Sequence, residues 1–318
     1  MARALVVGDI GGTHARFAIA AFSEQWHLTD KCDMESGSAS FEGLLQDYVN
    51  GLAPDRPLDI CLAVAGPVVD RAVIFTNRQW RLSEAKLLTL GFARAQLLND
   101  FAALAFAAPQ LTTGQLFALG PGQPTVNGEP IAVMGAGTGF GASCLVRHHG
   151  LSLPLASEAG HIGFAPNNVK EDMVLKILRA KFGRVSVERV LSGPGLENLL
   201  SALQELDGSN GANLDAAAIV QRAEAGDALC QDAVALFCSI YGSVAGDIAL
   251  AQGARGGVYL AGGIAPKIKA TLAASQFRQR FEDKGRLSYY MHPIPTCIIT
   301  DPDATLIGAA VAFAPGDA

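Results

Sequence analysis

The sequence predicts an α/β protein of two domains, each with a mixed sheet and flanking helices. Residues 41–52 place apolar side chains on one helical face, and the buried strand 58–65 (LDICLAVA) follows, which together indicate a parallel crossover. A pattern of strand, glycine-rich turn and strand occurs twice, at 3–21 and at 131–146. A length of 318 residues is typical of about two domains.

The composition excludes several classes of protein. Hydrophobic residues make up 50% of the chain, charged residues 17%, and the net charge is -6. An acidic chain without a Lys/Arg cluster argues against a nucleic-acid partner. The apolar run before Asp9 is too short for a signal peptide, and only 14 residues separate Asp232 from Asp247 in the longest apolar stretch, fewer than a membrane span needs. We therefore expect a cytoplasmic protein, with six cysteines, none in a CxxC pair, as reduced thiols.

The first glycine-rich turn, GDIGGTH, runs from Gly8 to His14 between two predicted strands, 3–7 and 15–21. A Rossmann phosphate loop would lead into a helix instead. Backbone N–H groups of such a hairpin can bind phosphate oxygens, because glycine tolerates unusual backbone angles. A simple tight turn explains Gly11 and Gly12 equally well at this point.

The second turn, GAGTGFG (135–141), joins strands at 131–134 and 142–146. Two such hairpins facing one cleft can hold the ends of a polyphosphate, although this motif alone is weak support for a nucleotide. Residues 256–266 (GGVYLAGGIAP) form a strand that ends in Gly262-Gly263, where missing side chains leave room for a flat ring such as adenine.

The stretch Gln96–Pro109 (QLLNDFAALAFAAP) passes from a buried strand into an alanine-rich helix, with Asn99 and Asp100 at the boundary. An amide and a carboxylate at a strand end suit a hydroxylated ligand. Asp100 fits two roles, the N-cap of its helix or a catalytic base, and the residues alone do not separate them.

Three further polar residues are candidates. Glu158 and His161 lie three apart in LASEAGHIGFAP, a spacing that suits a metal on a helix, but no second copy of the pair occurs. An ordinary structural histidine is as good an interpretation. Glu188 opens the predicted helical stretch VERVLSGPGLENLLSAL, where the helix dipole alone favours an acid.

Six segments in this order, DIGGTH, LLNDFAALAFAAP, GAGTGFG, SEAGHIGFAP, SVERVLSGPGL and LAGGIAP, resemble the bacterial glucokinase family over nearly the whole chain. The resemblance implies the two-domain actin-like, ribonuclease-H-like ATPase fold, with duplicated mixed sheets and an interdomain cleft. We expect a small domain at 1–115, completed by a C-terminal helix at 302–318, and a large domain at 116–301.

The resemblance also implies an activity, the phosphorylation of the 6-hydroxyl of glucose by MgATP in a homodimer. Asp100 matches the catalytic base, and the sugar-binding set is Asn99, Asp100, Glu158, His161 and Glu188. The implied nucleotide contacts are Gly8, Asp9, Ile10, Gly11, Gly12, Thr13, Gly137, Thr138, Gly262 and Gly263. Asp9 is our candidate for orienting Mg²⁺, through water.

Two features bear on this expectation. His14 stands where the family usually carries Asn, and residues 162–170 lack the cysteines of the zinc-containing sugar kinases, so we expect no zinc. The alternatives are a nucleotide-driven ATPase switch of the actin or chaperone type, a kinase for another hexose, and a sugar-sensing regulator. Residue patterns do not choose between ATP and polyphosphate as the donor.

Overall fold

The structure, a computed structural model, describes residues 4–11, 14–35, 40–52, 57–75, 80–122, 128–209 and 211–313. Gly12 and Thr13, two of the predicted nucleotide contacts, lie outside these residues. The chain divides into two compact units. Unit 1 comprises the residues up to Leu111 and those from Asp301 onwards, and unit 2 comprises Thr112–Thr300.

Unit 1 contains one five-stranded sheet and a short hairpin. Its elements are β1 (Leu5–Ile10), β2 (His14–Phe22), β3 (Trp26–Glu35), α1 (Phe41–Leu52), β4 (Asp59–Val64), β5 (Ala72–Ile74), β6 (Arg81–Ser83), α2 (Glu84–Thr89), β7 (Ala95–Asn99) and α3 (Asp100–Ala107). The sheet order is β3-β2-β1-β4-β7, and β1, β4 and β7 run parallel. Their carboxyl ends therefore meet at one edge, which positions the candidate site.

Burial explains why these segments take these forms. Every residue of β4 is buried, as expected for a central parallel strand covered on both faces. Helix α1 turns Phe41, Leu44, Leu45 and Tyr48 towards the sheet, the 3.6-residue spacing that the sequence predicts. Five of the six cysteines are buried and Cys32 is half-buried.

Unit 2 contains a six-stranded sheet and most of the helices. Its elements are β8 (Leu116–Ala118), β9 (Ile131–Ala136), β10 (Phe140–His148), β11 (Leu151–Ser157), α4 (Val169–Phe182), α5 (Gly193–Asp207), α6 (Ala216–Glu224), α7 (Ala228–Gln252), β12 (Gly257–Ala261), α8 (Lys269–Ala274), α9 (Phe277–Glu282), α10 (Ser288–Met291) and β13 (Thr296–Ile299). The sheet order is β11-β10-β9-β12-β13-β8.

The predicted internal duplication of architecture is confirmed. In unit 1, β1 pairs antiparallel with β2 and β2 with β3, while β4 and β7 lie parallel to β1 on its other side. In unit 2, β9, β10 and β11 form the same antiparallel series, and β12 and β13 lie parallel to β9 on its other side. Thus β3-β2-β1-β4-β7 corresponds to β11-β10-β9-β12-β13. The outer strand of each antiparallel group, β3 in unit 1 and β11 in unit 2, is an element that the sequence patterns did not predict.

Helix α7 is the central helix of unit 2. With 25 residues it is long and apolar enough to cross a membrane by length and composition. We did not expect this from the sequence, because we counted only the 14 residues between Asp232 and Asp247. However, 83% of its most apolar 18-residue window is buried inside the protein, as in the core helix of a globular protein. Within it, Tyr241 is fully buried and contacts the rings of Phe140, Phe237 and Phe277.

The last helix, α11 (Ala304–Phe313), packs on α3 and on the sheet of unit 1. The two helices approach closely at Gly308. A Cβ atom there would lie only 1.8 Å from the carbonyl oxygen of Ala103. Because backbone cannot move aside as a side chain can, Gly308 fixes the distance between the two helices.

We expect Gly308→Ala to destabilise the protein by about 1–3 kcal/mol, since the added methyl overpacks the contact between α11 and α3. Gly51→Ala is the matched control, because Gly51 is an exposed helical glycine with nothing within 4 Å of its added Cβ. That change should stabilise by about 0.5–1 kcal/mol. Urea unfolding measures both, and equal midpoints for the two variants would contradict the contact.

Candidate active site

A first group of candidate residues lies at the carboxyl edge of the sheet of unit 1. Ile10 at the end of β1 pairs with Val64 of β4, and Val64 pairs in turn with Asn99 of β7. Three strand ends therefore lie side by side. Asp9, Asn99 and Asp100 project from this edge, where ligands of α/β proteins usually bind.

Asn99, and not Asp100, is the N-cap of α3. Its Oδ1 accepts hydrogen bonds from the backbone N–H of Phe101 at 3.0 Å and of Ala102 at 3.2 Å, and its Nδ2 donates to the carbonyl of Gly66 at 3.2 Å. Asp100 is the first residue of the helix itself. The interpretation of Asp100 as only a cap is therefore wrong, and capping does not explain its carboxylate.

The Asp100 carboxyl group is half-buried, with one oxygen engaged and the other open. Oδ1 accepts from the N–H of Phe101 at 2.9 Å and from Asn99 Nδ2 at 3.0 Å, whereas no other described residue forms a hydrogen bond with Oδ2. Burial and the nearby Asp9 carboxylate raise the pKa of Asp100 to about 7. A carboxyl group with this pKa both accepts and releases a proton at neutral pH.

Asp9 forms an ion pair that our sequence analysis missed. Arg16 lies opposite Asp9 in the register of β1 and β2, and its Nη2 donates to Asp9 Oδ2. Its Nη1 donates to the carbonyl of Pro302 at 2.7 Å. The hairpin register contains the signal: with Ile10 opposite Ala15, the next pair must be Asp9 and Arg16.

The described part of the first glycine-rich turn is a hairpin, as predicted. Gly11 donates its N–H to the carbonyl of His14 at 2.9 Å, and the chain continues into β2 instead of a helix. Gly8 and Ile10 are buried, and a Cβ on Gly8 would lie 2.5 Å from Leu62, so packing already requires this glycine.

His14 is the first residue of β2 and contacts the neighbouring strand β3. Its Nδ1 lies 3.1 Å from Oδ1 of Asp33 on β3, and both side chains are more than half exposed. The residue that departs from the family pattern thus makes a surface contact.

A second group of candidate residues lies in unit 2 and includes Glu188. Glu188 belongs to a short 3₁₀ turn, Val187–Arg189, and α5 begins only at Gly193, so our placement of Glu188 in the first turn of that helix is wrong. Its Oε2 accepts from the N–H of Phe140 at 2.9 Å. A Cβ on Gly139 would lie 2.4 Å from the same oxygen.

Glu158 precedes and His161 ends another 3₁₀ turn, Ala159–His161, which is not the α-helix that a helical metal pair requires. The N–H of His161 donates to the carbonyl of Glu158 at 2.9 Å, while both side chains are exposed and have no hydrogen-bond partner among the described residues. The part of the chain that the structure describes contains no group of three or more His, Cys, Asp or Glu residues that could hold a metal.

The turns that carry these three residues meet around Phe140. A Cβ on Gly160 would lie 2.1 Å from the carbonyl oxygen of Phe140, and the N–H of Val187 donates to the carbonyl of Ile162 at 2.9 Å. The structure therefore brings Glu158, His161 and Glu188 to one region of unit 2. Glycine at positions 139 and 160 is what allows this close approach.

The glycines of β9 and β12 also converge. A Cβ on Gly135 would lie 2.4 Å from the carbonyl oxygen of Ala261, and one on Gly262 would lie 2.5 Å from that of Ala136. A Cβ on Gly137 would lie 3.8 Å from the N–H of Gly263, so the second glycine-rich turn and the end of β12 are neighbours. Thr138, Gly262 and Gly263 are exposed there.

The repeated sheets, each opening with a glycine-rich hairpin, define a protein of the actin-like ATPase fold with polar residues and glycines at its strand ends. Comparison with known proteins identifies the family within this fold. The glucokinase family model matches residues 6–315, and the chain belongs to the glucokinase family. A glucokinase of Caulobacter sp. (strain K31) is 47% identical over 315 residues, covering 98% of this chain and 95% of the relative.

Solved structures agree on the fold. A glucokinase from an Antarctic psychrotroph is 38% identical, with a TM-score of 0.90, covering 98% of this chain and 99% of that chain. A ROK family glucokinase from Streptomyces griseus, in complex with glucose and AMPPNP, has a TM-score of 0.63 and 19% identity, covering 96% of this chain and 98% of that chain. At that identity the likeness shows the fold alone.

We expect Asp100→Asn to stabilise unit 1 above pH 7. The pKa of Asp100 rises from about 4 in the unfolded chain to about 7 in the folded protein, so wild-type stability falls as pH rises between these values. The amide avoids that cost, and the variant should gain roughly 1–3 kcal/mol at pH 8 and nothing at pH 4.

Both tryptophans, Trp26 and Trp80, lie in unit 1, so urea unfolding followed by tryptophan fluorescence reports on the correct unit. The exposed Asp47 on α1 supplies the control variant Asp47→Asn, which should show no such pH dependence. A gain in stability that is equal at pH 4 and pH 8 would contradict the raised pKa.

Proposed function

We propose that the protein phosphorylates the 6-hydroxyl of glucose with ATP, giving glucose 6-phosphate and ADP. The observation that carries the proposal is the Asp100 carboxyl group, with an open Oδ2 at a strand end and a pKa raised to about 7. Membership of the glucokinase family supports it, as does the 47% identity to a glucokinase over nearly the whole chain.

In this proposal Asp100 is the general base. Its Oδ2 accepts the proton of the sugar hydroxyl while the oxygen attacks the γ-phosphorus, a role that contributes about 10²–10⁴ in rate. Asn99 holds Asp100 through the hydrogen bond from its Nδ2. The remaining sugar contacts are assigned to Asn99, Glu158, His161 and Glu188. The side chains of Glu158 and His161 are exposed and have no hydrogen-bond partner in the described part of the chain, which suits hydroxyl groups, since these both donate and accept hydrogen bonds.

The glycines at the end of β9 and β12 are proposed to contact the nucleotide. Gly137, Gly262 and Gly263 present backbone without side chains, and a close approach to phosphate or adenine needs that. Thr138 is assigned to the nucleotide with them. The first hairpin, Gly8 to Thr13, is assigned to the phosphates as well.

Magnesium is proposed to arrive with the nucleotide. Asp9 is partly exposed and lies close enough to Asp100 to raise its pKa, so two carboxylates at one edge provide the negative charge that a hard cation prefers. Because Arg16 engages Oδ2 of Asp9, contact with Mg²⁺ through water fits better than direct ligation. A cytoplasmic homodimer is also part of the proposal.

A coupled assay for ADP, with and without glucose, tests the proposal directly. ADP formation that requires glucose supports it, whereas equal ATP hydrolysis without sugar would support the switch of the actin or chaperone type. A panel of hexoses, with mannose and glucosamine included, then establishes the substrate, and polyphosphate in place of ATP tests the donor.

Asp100→Asn should lower glucose-dependent kcat by about 10²–10⁴, because the amide cannot accept the hydroxyl proton. Glucose binding, measured by calorimetry, should persist, since the amide still offers an acceptor oxygen. Asp47→Asn controls for the loss of one surface charge and should keep its turnover. Wild-type turnover in Asp100→Asn would remove Asp100 from the mechanism.

Gly139→Ala should raise KM for glucose by about tenfold or more, equivalent to roughly 1.4 kcal/mol. The new methyl would meet Glu188 Oε2 and displace a carboxylate that can move, so folding should survive. Gly163→Ala is the matched control, since its added Cβ would have nothing within 4 Å. An unchanged KM in Gly139→Ala, with an unchanged melting temperature, would exclude Glu188 from sugar binding.

A further inference from the structure

Arg16 connects three parts of unit 1. From β2 it donates through Nη2 to Asp9 at the end of β1, and through Nη1 to the carbonyl of Pro302, two residues before α11 begins, at 2.7 Å. Its side chain is 28% exposed and that of Asp9 is 20% exposed. A planar guanidinium can make both contacts at once with little freedom, which a flexible ammonium cannot do.

We infer that Arg16 is a positioning residue: its guanidinium fixes the Asp9 carboxylate at the end of β1, beside Asp100, and anchors it to the segment that begins α11. The inference rests on the proposed function for its kinetic consequence, because Asp9 and Asp100 are there assigned to Mg²⁺ and to the base. Arg16 itself is given no contact with substrate.

Electrostatics gives Arg16 a measurable effect. Asp9 is the charge that faces Asp100, and Arg16 is the cation paired with Asp9. Three other charged groups of this region have partners of their own: Asp33 contacts His14, Lys31 pairs with Asp303, and Asp301 Oδ1 accepts from the N–H of Asp303. Helix α11, which packs on α3, carries no charged residue from Ala304 to Phe313. Removing Arg16 takes away the positive charge that offsets the repulsion between Asp9 and the ionised form of Asp100, so the pKa of Asp100 should rise further.

The second cation of this region offers a matched control. Lys31 on β3 pairs with Asp303 and so also ties the sheet to the start of α11, yet it makes no contact with Asp9. Lys31→Gln therefore removes an anchor of the same segment without changing the charge beside Asp9. If Arg16 acts only by holding α11, then Arg16→Gln and Lys31→Gln should behave alike.

The test follows the Asp100 carboxyl carbon by ¹³C NMR during a pH titration, with Asp100→Asn to assign the signal. Arg16→Gln should shift its midpoint upwards by roughly 0.5–1 pH unit, Arg16→Lys by less, and Lys31→Gln not at all. Equal midpoints in Arg16→Gln and wild type would overturn the inference, as would an equal shift in Lys31→Gln. This measurement needs no activity, so it decides the role of Arg16 even if glucose-dependent ADP formation is absent.

Kinetics supplies the second readout. Arg16→Gln should move the acid limb of the kcat/KM profile upwards in parallel with the NMR midpoint. Arg16→Lys should raise KM for MgATP several-fold with a smaller change in kcat, because one ammonium cannot hold both Asp9 and the carbonyl of Pro302. A lower melting temperature in both variants, without either kinetic change, would assign Arg16 a structural role only.

Discussion

The hydrogen bonds of Asn99 determine what Asp100 can do. Two orphan N–H groups at the start of α3 need an acceptor, and the amide oxygen of Asn99 supplies it. Asp100 is thereby released from capping, yet it receives one N–H from Phe101 and one from Asn99, which hold a single oxygen in place. The other oxygen, at the carboxyl edge of the sheet, is bound by no other residue that the structure describes. Burial then raises the pKa of a group whose orientation is already set.

The two units use the same strand order for different chemistry. In unit 1 the strand ends carry side chains, namely Asp9, Asn99 and Asp100. In unit 2 the corresponding ends of β9 and β12 carry glycines that bring backbone against backbone. A duplicated scaffold thus provides acidic side chains at one edge and bare peptide groups at the other. Acids suit proton transfer and cations, and peptide N–H groups suit phosphate.

Much of the fold could be predicted from the sequence, because its central strands and long helices have clear periodicity. The edge strands could not. β3 is largely exposed, so its residues lack the apolar alternation that identifies a strand, and β11 presents Leu151, Leu153 and Leu155 to the surface on either side of Ser152 and Pro154. Pairing with a neighbouring strand, which is a tertiary feature, makes these segments strands.

The candidate site residues also depend on structural features that the sequence does not show. Asn and Asp are equally good N-caps, so composition could not decide which of Asn99 and Asp100 would cap α3. We predicted Glu188 at the start of one continuous helical stretch, VERVLSGPGLENLLSAL. In the structure Ser192 caps α5, and Glu188 lies in the turn before that helix. The ion pair of Arg16 with Asp9 was not predicted, because it depends on the register of β1 and β2, which the residue types alone do not give.

A glycine in a glycine-rich turn can be required by packing inside the protein as well as by a ligand. Gly8, Gly135 and Gly262 all lie where a Cβ would collide with the protein itself, at 2.4–2.5 Å from Leu62, Ala261 and Ala136. Packing therefore requires these glycines before any ligand is considered. Gly263 differs, since nothing lies within 4 Å of its added Cβ. Of the glycines assigned to the nucleotide, Gly263 is one at which a methyl group would disturb ligand binding without disturbing the fold, so its substitution separates the two explanations where substitution of Gly8 or Gly262 cannot.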